Sequence, residues 1–449
     1  MSTIEHEIRE LGLWWLPEAS EKQVSGILTF TPADGASLEL IGMLRGPYDI
    51  AGGSGYDGLG SDDFDEAGNY GRICGVAGGK PFTLEGCFRT GVSNLFDPGP
   101  GGTTERVHVN RFIRGAEFEP GERVETTCVD VRLLHLPYWI ATGGVAVKHY
   151  LPDSVPDGEP LVSLEADLLP DRRVMLDNGM TLSLCEEIVM VGDRVTEAGL
   201  NRDVRVRLEG KQQDLEDYLK VLAIFQDLVS IGTGRTSTFE AFSFHHPGVV
   251  HELPDGAEYP VKIEFYAQWV NWETRKPGSV GLHNVLFNLA DLGGEPAVQR
   301  WIRFALDHQG TIARVMGTRY RTGGYVSDRL LNRAAALEAL DRDTHGQDDE
   351  WFKDRMLRLA DLAGSPFGDA VGDVDRWASR FKKARVAAAH HSNRHPAEAS
   401  HLDYYLSEVA YYLFVLCLLR HIGADARAIE RVRQAGSFLH AAGPLRAST

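Results

Sequence analysis

The spacing of apolar positions divides the chain into two textures. Up to about residue 270, apolar residues come in short runs bounded by glycine and proline turns. Val24 to Phe30 and Ser37 to Leu44 flank TPADG, in which Pro32 and Gly35 supply the fixed and the permissive backbone of a turn, so a hairpin is expected there. Phe82 to Phe88, Arg106 to Ile113, Arg123 to Val131, Leu161 to Leu169 and Thr181 to Val191 read as further strands, as do Phe239 to His245 and Val261 to Trp269. Gln212 to Ile231 interrupts them, because Leu215, Leu219, Leu222 and Phe225 recur at helical spacing. Strands that follow one another, rather than alternating with helices, predict a β-rich antiparallel sandwich or barrel-like N-terminal domain, assigned to residues 1–285.

After Gly278 the period changes. Glu295 to Arg314, Val326 to Leu340, Trp351 to Ala363, Val371 to Ala389 and Leu402 to Ile422 all read as helices, which predicts an all-α bundle over residues 290–440. In the last of these, Leu402, Leu406, Val409, Leu413 and Leu416 form one stripe, and Tyr411, Tyr412, Phe414 and Leu418 make most other faces apolar too. Such a helix belongs at the centre of a bundle or is shared with a second subunit. Two segments resist the pattern. GLWWLPE, at Gly12 to Glu18, reads as an aromatic anchor rather than a regular element, and residues 46–80 read as a Gly-rich acidic loop. Gly53, Gly55 and Gly58 in that loop have GxGxxG spacing but no following helix, which argues against a dinucleotide site, and Asp62, Asp63 and Asp65 lack the ligand spacing of an EF-hand.

Composition adds limits. A chain of 449 residues exceeds one core and predicts at least two domains, and 43% hydrophobic with 24% charged residues is ordinary for a globular protein. The acidic N-terminus does not read as a signal peptide, and the longest apolar run, the 11 residues Val409 to Leu419, is shorter than the ~20 that cross a bilayer, so a cytoplasmic location is expected. Five scattered cysteines, none in a CxxC pair, argue against a disulfide framework or a cysteine zinc site. A net charge of −18 opposes nucleic-acid binding, yet Val371 to Thr449 carries 11 Lys and Arg against 7 Asp and Glu. The C-terminal segment is therefore locally basic.

That basic segment holds the candidate chemistry. RFKKARVAAAHHSNRHP, from Arg380 to Pro396, sets Arg385 five residues before His390. Arginine can grip a phosphoryl group through two parallel hydrogen bonds, and histidine can give and take a proton at physiological pH. Five residues turn a regular helix by about 500°, so the two side chains do not share a face unless the helix ends between them, the arginine wraps round, or two motifs meet across a dimer axis. Asn393 and Pro396 favour a helix end. Lys382, Lys383, His391 and Arg394 are the candidate RNA contacts around the pair. The plain alternative is that Arg385 pairs with a carboxylate such as Asp375 or Glu398 on a solvated face, while Glu338 and Asp341 face water or buttress a cation. His390, His391, His395 and His401 raise a zinc-dependent hydrolase as a chemical rival, weakened because no glutamate lies inside the His391 and His395 pair.

A bundle with Arg-x4-His near the end of one helix and a long apolar last helix resembles the HEPN domains of prokaryotic defence systems. The similarity is closest to the ApeA type, in which a β-rich domain opening with text like Trp14 to Gly42 precedes the HEPN domain. The resemblance implies a metal-independent endoribonuclease active in abortive infection, with Arg385 and His390 as the catalytic pair, no cofactor, a homodimer through the HEPN domain, RNA (first of all tRNA) as substrate, and a phage-derived trigger sensed by the N-terminal domain. One departure stands out: Val386 occupies the position after the arginine, where many active members have a polar residue. It leaves a third reading open, an inert dimerisation or RNA-binding module.

Overall fold

The computed structural model describes residues 7–46, 68–93, 102–140, 146–167, 172–193, 195–254, 256–268, 280, 284–321, 323–346, 350–390 and 396–447. The Gly-rich segment with Gly53, Gly55, Gly58 and the three aspartates lies outside them, as do His391, Asn393, Arg394 and His395. From residue 8 to 267 the chain is an antiparallel β-rich region, followed by a helical region. In order, the elements are β1 (Ile8–Trp15), β2 (Val24–Thr31), β3 (Gly35–Ile41), β4 (Asn69–Ala77), β5 (Lys80–Ser93), β6 (Thr104–Arg114), β7 (Glu125–Leu133), α1 (Leu136–Ile140), β8 (Ala146–His149), β9 (Val162–Glu165), β10 (Arg172–Met175), β11 (Thr181–Val191), β12 (Gly199–Asp214), α2 (Leu215–Thr233), β13 (Phe239–Glu252) and β14 (Glu258–Ala267). Then come α3 (Leu289–Leu292), α4 (Glu295–Asp307), α5 (Gln309–Tyr320), α6 (Val326–His345), α7 (Phe352–Ala363), α8 (Ser365–Val371), α9 (Val374–Ala389), α10 (Pro396–His421), α11 (Ala426–Gln434) and α12 (Gly436–Ala447). By compactness one unit comprises residues 1–132, 207–218 and 239–272, and the other residues 133–206, 219–238 and 273–449.

The first unit is organised by β6. One edge of β6 pairs with β5 along its length; the other pairs with β3 over Thr104 to Val109 and with β14 over Arg111 to Arg114. From β3 the ladder runs through β2, β1 and β4 back to β5, so six strands close on themselves and leave no edge in that ring. Trp14, Phe30, Phe82, Phe112 and Tyr266 fill it; Phe112 stacks on Tyr266 at 4.7 Å between ring centroids, and Trp14 meets Phe82 edge-on at 5.8 Å. The WWLPE text is thus an anchor, but Trp14 and Trp15 belong to a regular strand. Alternation hides it, since Leu11 and Leu13 face outward while Glu10, Gly12 and Trp14 face inward. Likewise β4 runs through residues expected to be loop, and a register shift at Gly71 breaks its alternation.

In the second unit α10 is the core. Val409, Leu413 and Leu416 are fully buried, and so are Tyr411, Phe414 and Leu418, because α6, α7 and α12 cover its several faces within the same chain. The helix is long and apolar enough to be compared with a membrane span, yet most of it is buried inside this unit. The expected helix from Glu295 to Arg314 is two, broken at His308. Pro396, expected to stop a helix, instead opens α10; proline suits a first turn, whose N–H groups lack partners anyway. Buried charges tie the helices together. On α6, Arg333 donates to Ser407 and Glu408 of α10, and Asp341 accepts from Arg355 and Arg358 of α7.

Candidate functional site

Helix α9 starts where the Asp373 carboxylate accepts the Arg376 N–H at 2.9 Å. Its inner stripe is Trp377, Ala378, Phe381 and Ala384, whose burial fixes the rotation of the helix. Lys382, Lys383 and Val386 therefore fall on the outer side. At the far end the His390 N–H still donates to the Val386 carbonyl at 3.1 Å, but its φ of −107° and ψ of 9° leave the helix, so His390 is the C-terminal cap. Ending the helix there frees the imidazole from a regular helical direction. The helix therefore ends after Ala389, as one of the three geometries left open by the sequence requires.

His390 is exposed and lines an open groove of about 500 Å³ with Lys353, Ser379, Lys382, Lys383 and Val386. Lys353 pairs with Asp375 at 2.6 Å, and Lys382 lies over the ring of Trp351 at 5.6 Å. Trp351 itself is 74% exposed, unusual for so large an apolar side chain. Val386, 44% exposed, presents two methyl groups to the groove where a polar side chain was expected from the resemblance.

Arg385 does not line this groove. Its guanidinium donates to the Glu338 carboxylate of α6 at 2.9 Å and lies over the Phe352 ring at 4.7 Å. Asp375 pairs with Lys353 instead, and the Glu398 side chain lies outside the described residues; Glu338 is the carboxylate that Arg385 meets, one of the two roles expected for it, and Arg342 approaches the same carboxylate at 3.8 Å. Asp341, by contrast, is fully buried and buttresses Arg355 and Arg358. Within one chain the arginine and the histidine thus have different surroundings. Lys382 and Lys383 accompany the histidine, and His391 and Arg394 lie outside the described residues.

Sequence reasoning missed Lys353 as a groove component and Trp351 as the ring beneath Lys382. Both come from α7 and its approach, and no spacing within α9 announces them; the only signal was an aromatic residue placed just before a helix begins. Among the described residues no group of three or more His, Cys, Asp or Glu side chains is arranged for a metal ion, and His401 packs against Tyr405 at 5.3 Å.

A closed antiparallel barrel in the β-rich region, followed by helices with a cationic groove at the end of one of them, defines a two-part protein with a β-rich N-terminal portion. Residues 9–301 match the family described as ApeA N-terminal domain 1, and the chain belongs to that family. Membership points to an anti-phage defence protein. No curated protein and no solved structure gave a significant match.

Proposed function

We propose that the chain is a metal-independent endoribonuclease of an abortive-infection system, with Arg385 and His390 as its catalytic residues in a C-terminal HEPN domain of residues 290–440. The observation that carries this reading is the position of His390, released from helical geometry at the end of α9 in a groove with Lys382 and Lys383. In the reaction the RNA 2′-hydroxyl loses its proton and attacks the adjacent phosphorus. The bond from phosphorus to the 5′-oxygen breaks, and that oxygen leaves with a proton. The products are a 2′,3′-cyclic phosphate and a 5′-hydroxyl, and no cofactor enters the balance. His390 moves protons, and Arg385 holds the scissile phosphate and the charge of the phosphorane.

Because one chain gives the two residues different surroundings, the complete site is assembled in a symmetric homodimer, His390 of one copy serving the phosphate held by the other. Lys382 and Lys383, with His391 and Arg394, neutralise neighbouring phosphates. Transfer RNA in the cytoplasm is the first substrate to test, since its loops expose unstacked bases and 2′-hydroxyls. The β-rich region, residues 1–285, restrains the nuclease until a phage-derived trigger binds.

Purified protein and total RNA, incubated in EDTA, test the proposal. Cleavage is expected to persist in chelator and to fall by ~10²–10⁴ in His390→Ala. Unchanged cleavage in that variant removes the assignment, and activity lost in EDTA but restored by zinc favours the hydrolase. Val386 in the groove favours one second reading, a module that binds RNA without cutting it, and RNA binding with no product from the parent protein is its signature.

A further inference from the structure

Helix α9 has a cavity at the end opposite His390, about 310 Å³ in volume, that the proposed chemistry does not use. That volume lies at the lower limit of small-molecule sites. Gly372 and Asp373, in the turn between α8 and α9, form part of its wall, so the cavity lies against the positive end of the α9 dipole. Three guanidinia line it as well: Arg376 and Arg380 from the first turns of α9, and Arg446 from the end of α12. Arg380 donates to the Leu445 carbonyl at 3.3 Å and Arg446 to the Asp369 carbonyl at 3.4 Å, contacts that tie both side chains to neighbouring backbone. The one carboxylate on the wall, that of Asp373, already accepts the Arg376 N–H. Cationic donors therefore outnumber acidic acceptors there.

The second, independent observation is Trp377. It is 3% exposed, lines the cavity, and its indole N–H has no hydrogen-bond partner among the described residues. A buried donor without a partner is costly, and an acceptor entering the cavity would relieve that cost. Guanidinia and an orphaned indole N–H ask for the same thing, an oxyanion. The rest of the wall narrows the choice. Val371, Leu406 and Leu445 are buried apolar side chains, against which a carbon skeleton gains and an inorganic phosphate, polar on every side, does not. The Trp377 ring is engaged by Phe381, stacked at 5.3 Å, and by Phe367 in a T at 4.9 Å, so this wall offers no open aromatic face for a base. A hydroxyl on the ligand would find an acceptor in Asp373.

We propose that this cavity binds a small free polycarboxylate of the hydroxy-acid class, its carboxylates held by Arg376, Arg380, Arg446 and the Trp377 N–H. Calorimetric titration of the full chain with citrate, inorganic phosphate and AMP, at matched ionic strength, tests it. Citrate should bind saturably and about tenfold more tightly than phosphate or AMP. Arg446→Gln, a change at an exposed position, should weaken citrate by about tenfold and leave the melting temperature of the ligand-free chain unchanged. In proton-nitrogen spectra of the parent, the indole N–H resonance that is missing from Trp377→Phe should move downfield as citrate saturates. No saturable citrate binding up to millimolar concentration overturns the proposal. So does phosphate binding as tightly as citrate, AMP displacing citrate at lower concentration than citrate itself binds, an unchanged affinity in Arg446→Gln, or a Trp377 resonance that stays in place at saturation. None of these readouts depends on RNA cleavage.

Discussion

Arg385 on α9 donates to the Glu338 carboxylate on α6 at 2.9 Å, and with both side chains only partly exposed the pair orients the guanidinium without hiding it. An arginine so held has N–H groups left for a phosphate. We predict that Arg385→Ala lowers RNA cleavage by at least ~10²-fold, since among the described residues no other cation lies over Phe352 to replace it. Glu338→Gln keeps the shape but loses the charge, and should lower kcat/KM by about tenfold through a misplaced arginine. Single-turnover assays decide; a Glu338→Gln enzyme that cuts faster than the parent would mean that the carboxylate competes with RNA instead.

Trp351 offers an exposed ring to Lys382, which in turn lines the groove that holds His390. Base stacking on such a ring is worth about 1–3 kcal/mol. Trp351→Ala is therefore predicted to weaken single-stranded RNA binding by roughly 5- to 100-fold while leaving the melting temperature within a degree or two. Fluorescence anisotropy with a labelled oligoribonucleotide reads this directly. Unchanged affinity would remove Trp351 from the RNA path.

Asp341 is fully buried and is approached by the Arg355 guanidinium at 3.1 Å and by Arg358 at 2.7 Å. Removing one partner of a buried ion pair leaves the other charge uncompensated and costs about 3–5 kcal/mol. Asp341→Ala should cost that much in urea unfolding, whereas Arg358→Ala, which leaves Arg355 to neutralise the carboxylate, should cost less. Equal losses would show that the cluster does not share its charge as the geometry indicates.

The two textures of the chain were legible because they rest on period alone: the β2 and β3 hairpin, α2, α7 and α9 fall close to where the apolar spacing puts them. What escaped depends on partners distant in sequence. β1 is an inner strand of the barrel whose leucines face out, and Gly75 is there because a Cβ would lie 2.2 Å from the Trp14 ring. No local pattern carries either fact. For the candidate site, the helix end at His390 and the lysines could be anticipated from α9 itself; the Glu338 and Phe352 support of Arg385 comes from two other helices.

Inside the bundle, Asp227 of α2 accepts the Tyr320 hydroxyl of α5 at 2.5 Å. Burial pushes its carboxyl up from the ordinary aspartate value to about 7, and the tyrosine hydrogen bond pulls the other way without overcoming it. Unfolded, the group releases its proton near pH 4, whereas folded it holds the proton until about 7. Between those limits the folded state binds more protons, so the contribution of Asp227 to stability falls as pH rises, is absent as a penalty below about 4, and is fully unfavourable above about 7. Asp227→Asn keeps an oxygen for Tyr320 and cannot ionise. The variant should match the parent at pH 4 and melt roughly 3–8 °C higher at pH 8. Melting curves of both proteins at the two pH values check this by difference, which cancels the other titrating groups. A variant less stable than the parent at pH 8 would mean that the ionised carboxylate is favourably held, and that its pKa lies on the other side of the aspartate value.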